Sequence, residues 1–416
     1  MTEITLYLHI PFCRARCDYC DFFTRTHVHP ERQQQIIDRT IAHAMDSLRR
    51  WYHPRAPISS IYVGGGTPSS LHSQARRRLL SGIRACIDYG TVVPNSEITV
   101  EVNPEDVDRS LLNDLHESGV NRLSLGIQSL TPSVLTRIGR HTSLSATRRG
   151  LEEVATHWGT RSGMRWSADI ITAVPDQSIS DAAHDIRNVL EYCPRHVSLY
   201  ELGIEPGTRL AQTYRRRTYA RETDELRYAQ HRAAADALTD AGLEQYEISS
   251  FAVPGDESRH NISYWQLHPW AAAGPGAVAL LPGRGGATHF TVGRSFQQYL
   301  DRDDFSVTAE SLTPQELCEE YFMGGFRMTR GVSNATLRAV FGCTLPELIP
   351  ATLEAWAHHV RATATDYVSL TPAGQLLLNR FLVDAFGEIE RSVNLPSAPA
   401  WPEPRRNAAS IDTSAT

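Results

Sequence analysis

The chain has 416 residues, of which 47 are acidic and 41 are basic, giving a formal net charge of −6. This charge provides no broad basic surface, so we expect no nucleic-acid partner. All the basic residues are arginines, and the absence of lysine excludes a Schiff-base lysine and a P-loop lysine. The sequence contains no run of about 18 apolar residues, so we expect no transmembrane segment.

Short apolar runs alternate with amphipathic segments along the first half of the chain. The runs predict six strands, at Ile4–Ile10, Ile58–Val63, Glu97–Val102, Asn121–Gly126, Trp166–Ile171 and His196–Tyr200. The segments between them have the spacing of helices. Strands separated by helices indicate parallel βαβ units with helices covering the sheet. We therefore predict an α/β fold, an incomplete parallel (β/α)6 barrel, with a mostly helical C-terminal domain.

The first predicted strand runs into a loop that holds three of the seven cysteines. Cys13, Cys17 and Cys20 have the spacing C-x3-C-x2-C. Three thiolates on one loop can bind three irons of a 4Fe-4S cluster and leave the fourth iron open for a small molecule. A structural zinc site would need a fourth ligand, and only His27 and His29 lie near. A disulfide with a spare thiol is a further alternative, but cysteines this close are more typical of a metal or redox loop.

Polar or glycine-rich motifs also accompany the ends of the other five predicted strands. They are Gly64–Ser69, Glu101–Pro104, Gly126–Ser129, Asp169 and Tyr200–Thr208. The carboxyl ends of parallel strands share one edge, where α/β barrels build their active sites. Glu101 and Asp169 lie within apolar strands, where an unpaired charge is costly. This position favours ligand binding over the alternative of a solvated carboxylate.

The second half of the chain is less regular. A helix is predicted over Asp224–Ala241, a strand over Tyr246–Phe251, a loop over Ala271–Gly286, and mostly helices after residue 306. We predict a barrel at 1–240, a connector region at 241–305, a helical domain at 306–393 and a disordered tail at 394–416. The four cysteines outside the loop are interpreted as buried structural thiols. Free thiols and an oxygen-sensitive cluster indicate a cytoplasmic protein.

Residues around the cysteine loop indicate a family. The cysteine spacing is that of radical S-adenosylmethionine (SAM) enzymes, and Tyr7-x-His9-x-Pro11-Phe12-Cys13 resembles the oxygen-independent coproporphyrinogen III oxidase family. The true oxidases of that family carry a fourth cysteine two residues after the third. This chain has Phe22 there, which is typical of the heme chaperone branch, HemW. The segment His260-Asn-Ile-Ser-Tyr-Trp265 is similar to the H-N-x-x-Y-W signature of that branch.

The resemblance implies cofactors and the residues that hold them. Cys13, Cys17 and Cys20 would bind the 4Fe-4S cluster, and SAM would be lined by Tyr7, Gly65, Gly66, Thr67, Glu101, Gln128, Arg140 and Asp169. At Arg140, an ordinary surface arginine is the alternative. His260 would bind heme iron and Tyr264 would stack on the macrocycle; the alternative is a structural His-Asn turn with core aromatics. The chain departs from the family at Val278-Ala279, where His-Ser is usual.

The implied function is that of a heme chaperone, which binds heme and transfers it to heme-requiring apoproteins. The alternatives are oxidative decarboxylation of coproporphyrinogen III to protoporphyrinogen IX and another radical SAM modification of a tetrapyrrole. Phe22 argues against the decarboxylation. Reduction of the cluster would require an electron donor such as flavodoxin or ferredoxin.

Overall fold

The computed structural model of the chain describes residues 3–216, 223–283, 286–362, 366–392 and 395. At its centre is a nine-stranded sheet. Six consecutive strands of this sheet are parallel and confirm the six predicted ones: β1 (Ile4–Ile10), β2 (Pro57–Gly65), β3 (Thr91–Val102), β4 (Arg122–Gln128), β5 (Arg165–Thr172) and β6 (His196–Glu201). They pair in chain order, so their carboxyl ends share one edge.

Shorter strands form both borders of this sheet. A hairpin of β7 (Glu244–Glu247) and β8 (Ser250–Ala252) adds antiparallel to β6, and β9 (Ala271–Ala273) adds parallel to β1. The single strand predicted over Tyr246–Phe251 is therefore wrong, because a turn divides it into a hairpin. No ladder joins β7 to β9 within the described ranges, so the barrel is incomplete, as predicted.

Helices connect the strands and cover the sheet. They are α1 (Pro30–Trp51), α2 (Ser73–Tyr89), α3 (Arg109–Glu117), α4 (Pro132–Arg137), α5 (Leu144–Glu153), α6 (Ile179–Leu190), α7 (Arg209–Arg216) and α8 (Asp224–Asp240). In α1, the buried residues Ile37, Ala44 and Leu48 recur at helical spacing and pack on the strands. Apolar side chains from both layers thus form one core beneath the shared strand edge.

The predicted motif His260–Trp265 lies in a short helix, α9 (Arg259–Trp265), on the opposite side of this core. The buried carboxylate of Glu97 on β3 accepts from the backbone N–H groups of Arg259 and His260, both at 3.2 Å. Arg122, the first residue of β4, is 3.2 Å from Glu97 and also donates to the carbonyl of Asp256 at 2.9 Å. A buried ion pair therefore fixes α9 at the amino ends of the strands.

The loop predicted over Ala271–Gly286 is wrong, because most of it is strand. After β9 come β10 (Val278–Gly283), β11 (Gly286–Val292), α10 (Phe296–Asp301) and β12 (Val307–Ser311). The three strands form an antiparallel sheet. Ala271, Ala272 and Ala273 are buried, and their small side chains let β9 lie close to α1. The alanines and glycines that suggested a loop instead allow close packing.

The C-terminal region is mostly helical, as predicted. Its elements are α11 (Pro314–Arg327), β13 (Val332–Ser333), α12 (Asn334–Phe341), α13 (Leu345–Leu348), α14 (Pro350–Ala355), β14 (Val360–Ala362), β15 (Tyr367–Leu370), α15 (Pro372–Gln375) and α16 (Leu378–Ser392). Phe322, Phe326 and Phe381 belong to its own apolar core. The proposed domain limits stay a prediction, and the tail at 394–416 lies outside the described residues except Leu395. No helix in the described ranges has the length and apolar character needed to cross a bilayer.

Candidate functional site

The cysteine loop is held between two backbone contacts. Cys13 donates its N–H to the carbonyl of Arg25 at 3.1 Å, and Arg25 donates in return to Pro11 at 2.8 Å, which closes the loop on itself. Thr67, just after β2, donates its N–H to the carbonyl of Phe12 at 2.7 Å. The loop is therefore joined to the glycine-rich segment that follows β2, as expected for neighbouring strand ends.

The three thiols of this loop are free and lie close enough to influence one another. The pKa of Cys13 is raised to about 11, mainly by burial and with smaller contributions from negative charge on Cys20 and Cys17, although the Thr67 hydroxyl, 3.6 Å from Sγ, opposes the shift. Burial also raises the pKa of Cys20. The three thiols are only partly buried, and the described ranges contain no preformed group of three or more metal-ligating side chains. A bound cationic metal group would stabilise the three thiolates together.

The glycines after β2 allow this segment to lie close to the end of β1 and to the cysteine loop. Gly65 has a φ of +102° and donates its N–H to Glu101 at 3.0 Å; a Cβ there would lie 2.3 Å from the His9 ring. At Gly66 a Cβ would lie 2.5 Å from the carbonyl oxygen of Phe12. The close approach at Gly66 is thus made by the cysteine loop of the chain itself.

Glu101 lies near the carboxyl end of β3 and is partly buried. Burial raises its pKa to about 7, with a contribution from the charge of Asp169, although the Tyr62 hydroxyl donates to it at 2.9 Å. Tyr62 was missed by the sequence analysis. It is the register partner of Tyr7 on the neighbouring strand, and their ring centroids lie 6.1 Å apart. The signal that could have found Tyr62 is this register.

Asp169 occupies the corresponding place on β5. Burial raises its pKa to about 6, and hydrogen bonds from Ser198 and Ser124 oppose the shift. The Ser124 hydroxyl donates at 2.9 Å. Within the described ranges neither Asp169 nor Glu101 has an ion-pair partner. Two enclosed carboxyl groups that lack a paired cation fit a cationic ligand such as SAM, which carries a sulfonium and an ammonium group.

Arg140 lies beside the cysteine loop and forms an ion pair with Glu105 at 3.5 Å. Its side chain is only 11% exposed, and it donates to Asn103 and to the carbonyl of Gly126, both at 2.9 Å. Its Nη1 lies 3.9 Å from Sγ of Cys17. Arg140 is therefore a buried neighbour of the thiols rather than an ordinary surface arginine. Asn103, which orients it, belongs to the predicted Glu101–Pro104 motif but was given no role of its own.

Gln128 is the last residue of β4 and has a φ of +69°. The pairing of β4 with β5 shifts register between Gly126 and Gln128. A non-glycine residue in this conformation and a bulge beside an active edge are both typical of functional sites. The structure thus brings the predicted SAM residues Tyr7, Gly65, Gly66, Thr67, Glu101, Gln128, Arg140 and Asp169 to one region of the fold.

His260 lies inside the barrel beneath this edge, with its ring centroid 6.4 Å from that of Tyr7. It is 1% exposed, its Nδ1 lies 2.7 Å from the hydroxyl of Ser60, and its Nε2 lies 2.7 Å from the hydroxyl of Tyr264. Its ring stacks on Tyr62 with centroids 5.0 Å apart. Burial lowers the pKa of His260 to about 3, so the imidazole is neutral. Both ring nitrogens have partners inside the barrel, which agrees with the structural alternative for this motif.

Comparison with known proteins places this geometry in a family. Residues 7–189 match the model of the radical SAM superfamily. The heme chaperone HemW of Escherichia coli strain K12 is 30% identical over 384 residues, which cover 92% of this chain and 98% of that protein. The heme chaperone HemW of Bacillus subtilis strain 168 is 29% identical, with coverage of 92% and 99%.

A solved structure supports the fold. Coproporphyrinogen III oxidase (HemN) from Escherichia coli, described as a radical SAM enzyme, superimposes with a TM-score of 0.75 over 92% of this chain and 90% of that one, at 18% identity. At this identity the similarity concerns the fold alone. Together with the sequence relatives, it shows that the chain belongs to the HemW-like family of the radical SAM superfamily.

Proposed function

We propose that this protein is a heme chaperone that carries a 4Fe-4S cluster and SAM. The observation that carries the proposal is the cysteine loop itself, which provides three free thiols and ends in Phe22, where an oxidase would carry a fourth cysteine. The phenyl side chain of Phe22 has no atom that can bind iron, and it is 65% exposed, so this position supplies no further ligand to the loop. The similarity to proteins named heme chaperone HemW supports the same function.

The residues of the strand edge have separable roles in this proposal. Cys13, Cys17 and Cys20 would each bind one iron of the cluster. When bound, the cluster and SAM together supply reductive cleavage of a sulfur–carbon bond. Arg140, 3.9 Å from Cys17, would offset the negative charge of the thiolates.

The remaining residues of the edge would hold SAM. Glu101 would accept from its ammonium group or hydroxyls, and Asp169 from a ribose hydroxyl. Gly65 already donates its N–H to Glu101 and so fixes the carboxylate. Tyr7, Thr67 and Gln128 would complete the lining. Because Glu101 and Asp169 lack ion-pair partners in the described ranges, a cationic ligand would relieve the cost of their burial.

Heme would be the cargo, passed to heme-requiring apoproteins, and a flavodoxin or ferredoxin would be the electron donor. His260 and Tyr264 remain the candidates that the sequence motif provides for heme. In the structure they are hydrogen-bonded to each other, so iron binding by His260 would first require that contact to break. The free thiols favour a reducing cytoplasm for all of these partners.

The cluster is tested by anaerobic reconstitution of the parent protein and of Cys13→Ala, Cys17→Ala and Cys20→Ala. The parent should contain about four irons and four sulfides per chain, and each variant should lose the cluster absorbance. Cys193→Ala is the matched control and should load fully, because Cys193 lies outside the loop and is exposed, contrary to its interpretation as a buried thiol. One tightly bound zinc in place of iron and sulfide would contradict the proposal.

A further inference from the structure

A cavity of about 230 Å³ lies where the end of α9 meets the C-terminal helical domain. It is distinct from the strand edge, since none of the cysteine-loop or predicted SAM residues lines it. The lining residues that matter here are Trp265, His268, Met328, Arg330, Phe341 and Tyr367. Trp265 is the last residue of the His260–Trp265 motif, so the motif reaches this cavity through its tryptophan rather than through its histidine.

The walls of the cavity are largely aromatic and apolar. Met328 and Phe341 are 3% and 1% exposed, and Phe341 belongs to the core of the C-terminal domain. The guanidinium of Arg327 lies over the ring of Trp265, 4.5 Å from the ring centroid. This cation–π contact holds the indole in place. Preformed walls of this kind favour a flat, apolar ligand.

One cation at this cavity lacks an acidic partner. The guanidinium of Arg330 lies 5.4 Å from the ring centroid of Tyr367, and no carboxylate in the described part of the chain forms an ion pair with it. Arg330 is exposed, so its donors are open to a ligand that enters from solvent. An exposed guanidinium without an ion-pair partner can bind a carboxylate through two parallel hydrogen bonds.

His268 supplies the remaining chemistry. Its backbone N–H donates to Ser263, but its imidazole has no hydrogen-bond partner within the described ranges. Partial burial lowers its pKa; the charge of Glu3 opposes the shift and that of Arg330 adds to it. The side chain is reachable from solvent. A neutral imidazole with free nitrogens is the ordinary protein ligand of heme iron.

We propose that this cavity is the heme site, with His268 as the iron ligand and Arg330 binding a propionate. The inference rests on the heme chaperone function proposed above and replaces His260 with a histidine whose nitrogens are free. The ligand class is a flat iron tetrapyrrole that carries carboxylates. Because sites that enclose a whole ligand have volumes of about 300–1,000 Å³, this smaller cavity would leave part of the macrocycle exposed. Partial exposure suits a protein that must release its cargo.

The test is a heme titration of the reconstituted full-length protein and its variants, followed by absorbance. His268→Ala should shift the Soret band, and added imidazole should restore it. Arg330→Ala should keep the parent spectrum while weakening the Kd about tenfold, equivalent to about 1.4 kcal/mol. His358→Ala is the matched control, because His358 is an exposed histidine of the same domain that does not line the cavity. It should behave like the parent.

The outcomes separate this inference from the function on which it rests. If the parent binds heme and His268→Ala keeps its spectrum and affinity, the cavity is not the heme site, whereas the chaperone function stands. A spectrum that changes in His260→Ala but not in His268→Ala would return the iron ligand to the sequence motif. Failure of the parent itself to bind heme would overturn the chaperone function and the site together.

Discussion

Glu101 and Asp169 show how single residues define the strand-edge site. Each is a partly buried carboxyl group in a strand, and each has a raised pKa because burial disfavours its charged form. Hydrogen bonds from Tyr62 and Ser124 reduce this cost without removing it. The sequence could predict the two carboxyl groups, because charges inside apolar runs are conspicuous. It could not predict their partners, which depend on strand register.

The raised pKa of Glu101 predicts how stability depends on pH. Its folded pKa of about 7 exceeds the ordinary value of 4.5, so between these values the folded state holds a proton that the unfolded state releases. The stability of the ligand-free protein should therefore fall as pH rises from about 5 to 8, with a contribution from Glu101 on the order of 3 kcal/mol. Glu101→Gln should flatten this dependence in denaturant titrations at several pH values.

Glu31→Gln provides the control for this measurement, because Glu31 lies on α1 and its side chain is 86% exposed. It should keep the pH dependence of the parent. Bound SAM should lower the pKa of Glu101, whereas burial raises it, because a nearby cation favours the ionised carboxyl group. Equal pH slopes for the parent and Glu101→Gln would contradict the account of this residue.

At the scale of elements, the cysteine loop and the glycine segment after β2 form one unit. Gly66 donates its N–H to Ile10 at 3.0 Å, and a Cβ on Gly66 would meet backbone atoms of Ile10 and Phe12. Backbone atoms cannot rotate away as a flexible side chain can. We therefore predict that Gly66→Ala displaces the cysteine loop, lowers reconstituted iron content and costs about 1–3 kcal/mol of stability.

Gly387→Ala is the matched substitution, because a Cβ there meets only the end of Arg391, at 3.7 Å. Iron content and thermal unfolding should be measured for both variants. If Gly66→Ala loads iron like the parent but loses SAM affinity, then the glycine serves ligand approach, as the sequence alone suggested. If Gly66→Ala loads iron and binds SAM like the parent, then the close contact of Gly66 with Ile10 and Phe12 is not needed for either function.

Elements could be predicted where the side-chain pattern is strong. β1 to β6 follow from apolar runs, and their common polar edge follows from parallel pairing. β9 could not be predicted in this way, because Ala271–Ala273 has small side chains that carry little strand signal. The hydrogen bond between His260 and Ser60 could not be predicted either, because the two residues are 200 positions apart in the sequence.

The whole molecule contains two regions that bear on the proposed function. The three thiols and the partly buried carboxyl groups lie at the carboxyl edge of the sheet, while α9 is fixed at the amino ends of the strands by Glu97 and Arg122. The cavity that contains His268 lies beyond α9, against the C-terminal domain. In this arrangement a cluster with SAM and a cargo of heme would occupy separate sites, as expected for a carrier.

The most direct test of this account is transfer of heme from the reconstituted, heme-loaded protein to an apoprotein of the b-type heme class, followed anaerobically by absorbance. The account predicts that heme stays with the protein through gel filtration and then appears in the acceptor. It also predicts no protoporphyrinogen when coproporphyrinogen III, SAM and a reductant are supplied instead. Formation of protoporphyrinogen, or failure to pass heme to the acceptor, would contradict the account.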